Sequence, residues 1–489
     1  PVATPGVEIG NRHVPVGSVF QNGPTRGTDV FIPMDWIIGG QKQIGSGWRM
    51  LMQSLAAGRA ISLPALGAAG GKMSAMLTGA YARIRQQFGM PIGYFEGVEE
   101  PLARIGGRTY RMDAARKLTL VALDQGEKPG VLSAILKYQL TEGNRQVIND
   151  AMDIHGGKGI ITGPNNYLAR AYQALPISIT VEGANILTRS LIIFGQGAIR
   201  AHPWLLKEMR AAAGQGGGTA RRDFDNAIFS HVGYTISNAV RAFMLGVSGG
   251  LATTPPVRGP TARYFRRMTR MSAAFALVAD AVLLTLGGKF KFREKLSGRL
   301  ADVLIHLYMG SAVLKRFEDD GRPSEDLPLV KWAMEDSLHT MQQSLLGVMK
   351  NFPVPLIGGL LRFIVFPLGL PWSGPSDRTG KKIARLLLSE TESRERLIEG
   401  VFVSDADDAT GRVNTAFNLA VDSAAAEQAI RNALKENVTI DNYPELVRRA
   451  VESGVITEEQ ATLVRQAQEA AGRVIAVDDF PRSEIEGSP

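Results

Sequence analysis

The chain has 489 residues, no cysteine, and a formal net charge of +8 from 55 Lys and Arg against 47 Asp and Glu. Its length predicts two or three domains, and 45% hydrophobic with 21% charged residues excludes a disordered, collagen-like or disulfide-stapled chain. Without cysteine there are no thiolate nucleophiles, redox dithiols, iron–sulfur clusters or cysteine zinc sites, so chemistry must come from oxygen and nitrogen groups or a borrowed cofactor. The first residue is Pro1 and no signal peptide is visible, so the sequence is expected to begin inside a longer protein. Acidic and basic residues are interspersed, which reads as a solvated surface rather than a polyanion groove.

Residues 1–44 are rich in Val, Gly and Pro, with short apolar runs at 14–20 and 29–33, and read as a few strands joined by turns. From Trp48 the pattern becomes helical. Segments 48–88, 98–125, 131–155 and 185–201 carry apolar residues every three or four positions, and four such segments predict an antiparallel bundle. The glycines at 214–218 read as a linker, and a second helical block follows at 262–286, 292–318 and 325–349. Further helices are predicted at 381–400, 412–436 and 457–471, with a frayed tail from 478.

The apolar stretch 352–372 is long enough to suggest a membrane span, but its prolines leave only eleven residues of continuous helix between Pro355 and Pro367, about 16 Å against a hydrocarbon core of about 30 Å. Docking at a bilayer interface or under another domain fits better, with Arg263, Arg266, Arg267 and Arg270 as one basic helical face. No nucleic-acid partner is expected, because that helix offers only Tyr264 and Phe265 for stacking.

Some motifs fail on context. Residues 246–250 match a hydrolase nucleophile pattern but follow a helical segment and run into Thr253-Thr254-Pro255-Pro256, where a strand before and a helix after are required. The six histidines include no pair at helical ligand spacing, and the acidic cluster Asp405, Asp407 and Asp408 lies in a loop, so no metal is expected. Two features carry more. Gly156, Gly157 and Gly159 after a long helix suit either close approach of a phosphate or a simple helix cap. Glu182 follows the apolar run 175–181 and precedes Gly183 and a new helix; it is either a helix N-terminal acid or a partly desolvated carboxylate able to act as a base on carbon acids.

With Gly47-Trp48, Ala57-Gly58-Arg59, the run 81–89 ending Arg85-Gln86-Gln87-Phe88-Gly89, the run 150–159 around His155-Gly156-Gly157, and Thr180-Val181-Glu182-Gly183-Ala184-Asn185, residues 45–203 resemble the C-terminal half of an acyl-CoA dehydrogenase. Beyond Pro203 the chain resembles the long extension of the bacterial FadE-type members that start fatty-acid β-oxidation. The fold this implies is mainly α: a C-terminal four-helix bundle preceded by a remnant of a β domain and followed by a second helical domain. The corresponding divisions are 1–44 for the β remnant, 45–205 for the catalytic bundle, 206–218 for the linker, 219–350 for the helical extension, 351–378 for the Pro/Gly-rich apolar segment and 379–489 for the terminal helices.

The resemblance implies a FAD-dependent enzyme that converts medium- to long-chain fatty acyl-CoA to trans-2-enoyl-CoA. It makes Glu182 the base that removes the α-proton while the β-hydrogen leaves as hydride to the flavin, and makes the amide of Glu182 a donor to the thioester oxygen. Some family members carry the base just before the arginine corresponding to Arg59; Gly58 stands there in this chain. The resemblance assigns Arg85 and Phe88 to the flavin pyrophosphate of a neighbouring subunit, Gly156 and Gly157 to its adenosine end, and Arg59 and Gly183 to the substrate side. It implies at least a homodimer, electron-transfer flavoprotein as redox partner, and a cytoplasmic protein; a peripheral inner-membrane contact is expected from the extension's basic helix and apolar segment. Asp153, Ala184 and Ile186 depart from the family's usual glutamine, threonine and glutamine. The N-terminal helical domain and most of the β domain are missing, so the chain alone is expected to be inactive. The alternative is a membrane- or partner-binding helical module attached to a catalytically incomplete paralogue.

Overall fold

In residues 1–44, β1 (Val7–Ile9) and β2 (Thr25–Gly27) pair antiparallel, Val7 opposite Gly27, and the other described residues form turns and short 3-10 helices. The computed structural model describes residues 1–17, 22–127, 129–196, 202–214, 219–404, 407–434 and 443–486. The two apolar runs expected as strands are not strands where described. Pro15–Gly17 is a 3-10 turn, residues 18–20 lie outside the described residues, and 29–33 has no ladder partner among them. An extended run is a strand only when a neighbour satisfies its backbone groups, and Phe31 and Ile32 stand exposed.

The bundle begins with α1 (Gly47–Ile84), α2 (Glu96–Asp124) and α3 (Gly130–His155), each close to its predicted bounds. α1 packs along both α2 and α3, burying Ala75, Leu77, Ile105, Met112, Leu136 and Leu140. Between α1 and α2 lies a tight hairpin, β3 (Gln86–Gln87) with β4 (Met90–Pro91). Its two turn residues, Phe88 and Gly89, have φ of 51° and 73°, as a type I′ hairpin requires. The apolar run 175–181 belongs largely to a helix, α4 (Ala169–Thr180). α5 follows, α-helical over Asn185–Leu187 and π-helical over Thr188–Gln196; α4 and α5 are bent by 48° relative to each other, with Glu182 in the turn between them. Residues 197–201, the expected end of this helix, lie outside the described residues.

The linker expected at 206–218 is largely helical. α6 (Leu205–Ala212) packs Leu205 against the core, and the glycine-rich composition that suggested flexibility is confined to 214–218, of which 215–218 are outside the described residues. α7 (Ala220–Val247) is the helical segment expected ahead of residue 246, for which periodicity gives no bounds because its outward face is nearly as apolar as its inward one. Ser248 caps its C-terminus, which removes the nucleophile-elbow reading. α8 (Ala262–Leu286), α9 (Glu294–Asp319) and α10 (Leu327–Lys350) agree with expectation, and α11 (Pro355–Val365) is the short helix allowed between the two prolines.

The helix expected at 381–400 divides into α12 (Asp377–Leu387) and α13 (Glu392–Ile398), since the Thr391 side chain accepts from Arg394 N and starts a new helix. The one expected at 412–436 divides at Ser423 into α14 (Ala409–Asp422) and α15 (Ala424–Leu434). α16 (Tyr443–Glu452), α17 (Glu458–Ile475) and α18 (Arg482–Glu486) complete the chain, α17 starting in a Thr457–Gln460 capping box.

Bundle and extension share one continuous core. A Cβ on Gly107 of α2 would fall 2.1 Å from the Trp332 indole of α10, so the ring lies directly on backbone. Asp113, fully buried, faces Lys72 Nζ of α1 at 3.2 Å, Arg316 Nη1 of α9 at 3.2 Å and Arg116 Nη2 at 2.8 Å. The expected basic face of α8 is only partly realised: Arg270 is buried, 5.0 Å from the Trp372 ring, and donates to Val365 O. Among the described residues, the stretch Ala262–Phe292 is long and apolar enough to cross a membrane, yet 56% of its most apolar window is buried inside the protein.

Candidate active site

The expected site residues fall into two groups, one beside the first half of α1 and the other at its C-terminal end. The first is built on the turn between α4 and α5. Glu182 holds φ of 55°, a left-handed conformation that costs a non-glycine residue energy and persists only where its surroundings enforce it. Arg59 Nε of α1 donates to Glu182 O at 2.6 Å. Gly58 lies under the carboxylate, so that a Cβ there would be 3.2 Å from Glu182 Oε1. Glu182 Oε2 is buried and accepts no hydrogen bond, and Glu182 N–H meets no acceptor among the described residues. A buried carboxylate oxygen without a donor is an acceptor held ready for a proton from outside the chain.

Sequence reasoning missed two residues of this turn. Lys137 of α3, 0% exposed, donates to Ile179 O and Gly183 O at 2.9 Å each and to Asn185 Oδ1 at 2.7 Å. Asn185 Nδ2 in turn donates to Thr141 Oγ1 and Glu142 Oε1. Burial pushes the Lys137 ammonium down to about 8; Glu182 and Glu142 oppose that and Arg59 adds to it. The helical period places Lys137 on the same buried face as Ala134, Leu140 and Thr141, a signal present in the sequence.

The second group lies about 39 Å further along α1, taking 1.5 Å per residue from Arg59 to Arg85. Tyr81 stacks on His155 at 4.1 Å, so the end of α1 that leads to Arg85 packs on the end of α3 that leads to the Gly156-Gly157 turn. The Arg85 side chain makes no hydrogen bond or ion pair among the described residues, and Phe88 is 94% exposed at the hairpin tip. Gly156 has φ of 54°, and a Cβ on Gly156 or Gly157 would meet nothing within 4 Å, so the backbone there is open to a ligand. An unpaired guanidinium beside bare backbone fits a diphosphate. The extension braces this end: Arg431 donates to Gly89 O and Gln86 Oε1, and Asp478, in the tail expected to fray, accepts from Asn165 N at 2.9 Å and Asn165 Nδ2 at 2.8 Å.

The structure also assembles a group that histidine spacing does not show. His231 Nδ1 meets Glu208 Oε1 at 2.7 Å, its Nε2 meets Asp280 Oδ1 at 2.6 Å, and His202 Nε2 lies 3.4 Å from the same oxygen. Ligand atoms of His202, His231 and Asp280 lie within 4.8 Å of one another. The hydrogen bonds favour protons over a metal. His202 Nδ1 accepts from Trp204 N and Leu205 N, which leaves its proton on Nε2 facing Asp280, and His231 bridges two carboxylates.

This helical architecture is that of the acyl-CoA dehydrogenases and oxidases. An acyl-CoA dehydrogenase from Bacillus anthracis, solved with FAD, superposes with a TM-score of 0.58 at 16% identity over 79% of this chain and 64% of that one. Acyl-CoA oxidase 3 from Yarrowia lipolytica gives 0.52 at 17% identity, over 84% and 61%. At these identities the likeness is one of fold.

The chain belongs to the acyl-CoA dehydrogenase family, a family of oxidoreductases. The family model for the bacterial-type acyl-CoA dehydrogenase C-terminus matches residues 199–480, and that for the acyl-CoA dehydrogenase C-terminal domain matches 45–194. Human very long-chain specific acyl-CoA dehydrogenase is 27% identical over 317 residues, 63% of this chain and 45% of that protein. The 3-(aryl)acrylate reductase of Clostridium sporogenes is 29% identical over 154 residues, 31% of this chain and 39% of that one. Protein HemX of Proteus mirabilis is 56% identical over 80 residues, 16% of this chain and 47% of that one. The chain spans less than half the length of these relatives.

Proposed function

We propose that the chain is the base-bearing C-terminal portion of a FAD-dependent acyl-CoA dehydrogenase that converts medium- to long-chain fatty acyl-CoA to trans-2-enoyl-CoA in β-oxidation. The observation that carries this reading is Glu182: a carboxylate on a strained turn, with one buried, unpartnered oxygen. Glu182 takes the α-proton as the α–β bond becomes double, and its own free N–H is available to the thioester oxygen, where enolate charge develops. Bound FAD supplies the acceptor for the β-hydride, and electron-transfer flavoprotein is the expected external oxidant. Arg59 holds the base's carbonyl, and Gly183 lets the chain turn close to its guanidinium.

Arg85, Phe88, Gly156 and Gly157 would hold the pyrophosphate and adenosine end of FAD. They lie about 39 Å along α1 from the base turn, farther than one dinucleotide extends, so each end of the bundle serves a different flavin. That separation supports a homodimer in which one subunit completes its partner's cofactor site. The test is anaerobic addition of octanoyl-CoA and, separately, palmitoyl-CoA to the natural full-length protein. Bleaching of the flavin with stoichiometric enoyl-CoA is expected from at least one of them; an unchanged spectrum with both contradicts the reading.

A second reading concerns the extension. α7 exposes Phe229, Val232, Ile236, Val240, Met244 and Val247 along one face. Phe243 lies 6.0 Å from Phe363 and joins this stripe to Leu356, Leu360 and Phe363, which α11 exposes. Beyond Asp223 and Asp225 at the start of α7, residues 226–279 and 337–376 contain no Asp or Glu, whereas Arg241, Arg258, Arg266 and Arg362 are among their cations. An apolar face with mostly positive charge around it suits the surface of an anionic bilayer.

A further inference from the structure

We propose that Lys137 is a positioning residue that fixes the turn carrying Glu182, by tying the carbonyls on both sides of that turn to α3. The inference rests on Glu182 being the base. The Nζ donates to Ile179 O, in the last turn of α4, and to Gly183 O, immediately after the base, both at 2.9 Å. Its third proton goes to Asn185 Oδ1 at 2.7 Å, at the start of α5. All three protons of an ammonium are therefore used, and a neutral amine would lack one of them.

The rest of the turn is tied down too. Arg59 Nε holds Glu182 O, Thr188 Oγ1 donates to Gly183 O at 3.1 Å, and Asn185 is anchored on Thr141 and Glu142 of α3. Every one of these bonds ends on backbone or on Asn185, leaving the Glu182 carboxylate free. The strained φ of Glu182 has to be enforced by its surroundings, and Lys137 is the group that closes the turn at both ends. A displacement of a base by about 1 Å costs about 100-fold in rate, which sets the size of effect expected.

The charged groups facing Lys137 are Glu182 on the turn, Arg59 on α1 and Glu142 on α3 itself. With its ammonium drawn down to about 8 by burial, Lys137 loses a proton, and with it one of its three bonds, as pH rises through that value. The alkaline side of the rate profile then carries this residue's signature.

The experiment compares wild type, Lys137→Met, Lys137→Ala and Glu182→Gln in the FAD-loaded full-length protein. In Lys137→Met, kcat is expected to fall about 100-fold with KM changed less than about threefold, and the decline of kcat above pH 8 to disappear. Ethylammonium should recover part of the kcat of Lys137→Ala, and backbone amides of residues 182–185 should exchange with solvent faster in both variants. Wild-type kcat and pH profile in both Lys137 variants, with amide exchange unchanged, would overturn the proposal. The exchange readout is independent of turnover: faster exchange in the Lys137 variants supports the clamp even if Glu182→Gln stays active, a result that would instead remove Glu182 as the base.

Discussion

Gly58 of α1 and Glu182 of the α4–α5 turn share one space: a side chain added at position 58 would begin 3.2 Å from the Glu182 carboxylate. The resemblance gives two locations for the family's base, one on each of these elements, and here they converge on a single volume that holds one carboxylate. Gly58→Ala is therefore expected to displace Oε1 and lower kcat about 10- to 100-fold while FAD content stays unchanged. Gly58→Glu combined with Glu182→Gly should be more active than Glu182→Gly alone, as steady-state turnover with acyl-CoA would show; equal rates would mean the two positions do not converge.

Asp113→Asn is expected to lower stability by about 3–5 kcal/mol in urea unfolding, because Lys72 and Arg316 would remain buried without their counter-charge. Burial alone would raise the Asp113 carboxyl, but Arg316, Lys72 and Arg116 outweigh it and hold it below its ordinary value. The unfolded chain then binds this proton more readily than the native one. The contribution is fully present above the unfolded value and disappears as pH falls through the lower native value, so the wild-type advantage over Asp113→Asn should shrink in acid.

Two buried histidines predict acid sensitivity at milder pH. Burial holds His155 down to about 4 and His306 down to about 3, against an ordinary value of 6.5. His155 donates from Nδ1 to Ala151 O and accepts at Nε2 from the Tyr167 hydroxyl, so the neutral ring is the one the fold uses. Between pH 6.5 and 4 the unfolded state binds these protons and the native state does not, so stability should fall with falling pH by up to about 1.4 kcal/mol per unit per histidine. His155→Gln should reduce that slope, measured as urea midpoints from pH 7 to 4.5; an unaltered slope would contradict the assignment.

The apolar platform of α7 and α11 predicts lipid binding. The full-length protein should float with vesicles containing about 30% phosphatidylglycerol, and less so at high salt, which screens the basic rim. Val240→Glu with Leu360→Glu should abolish flotation without altering turnover of soluble substrate. Flotation unchanged by the pair would move the contact elsewhere.

Much of this architecture was legible in the sequence, for identifiable reasons. α1, α2, α3, α8, α9 and α10 each bury one stripe and expose another, so helical periodicity located them closely. α7 reads only as an unbounded helical segment before residue 246, because its exposed face is apolar as well, which weakens the contrast that periodicity detects. Glu182 and Arg59 were readable from their motifs, but the meeting of Gly58 with Glu182 depends on how α1 passes the α4–α5 turn, a relation between positions 124 residues apart. Lys137 carries no motif, although its register among Ala134, Leu140 and Thr141 marks the buried face. The His202, His231 and Asp280 group joins three separate segments, and no local spacing announces it.

The central claim is that Glu182 is the base. The most direct measurement is the rate of flavin bleaching on anaerobic mixing of acyl-CoA with FAD-loaded full-length Glu182→Gln protein, beside wild type. The account predicts a loss of at least about 1,000-fold with FAD still bound; bleaching within a few-fold of the wild-type rate would contradict it.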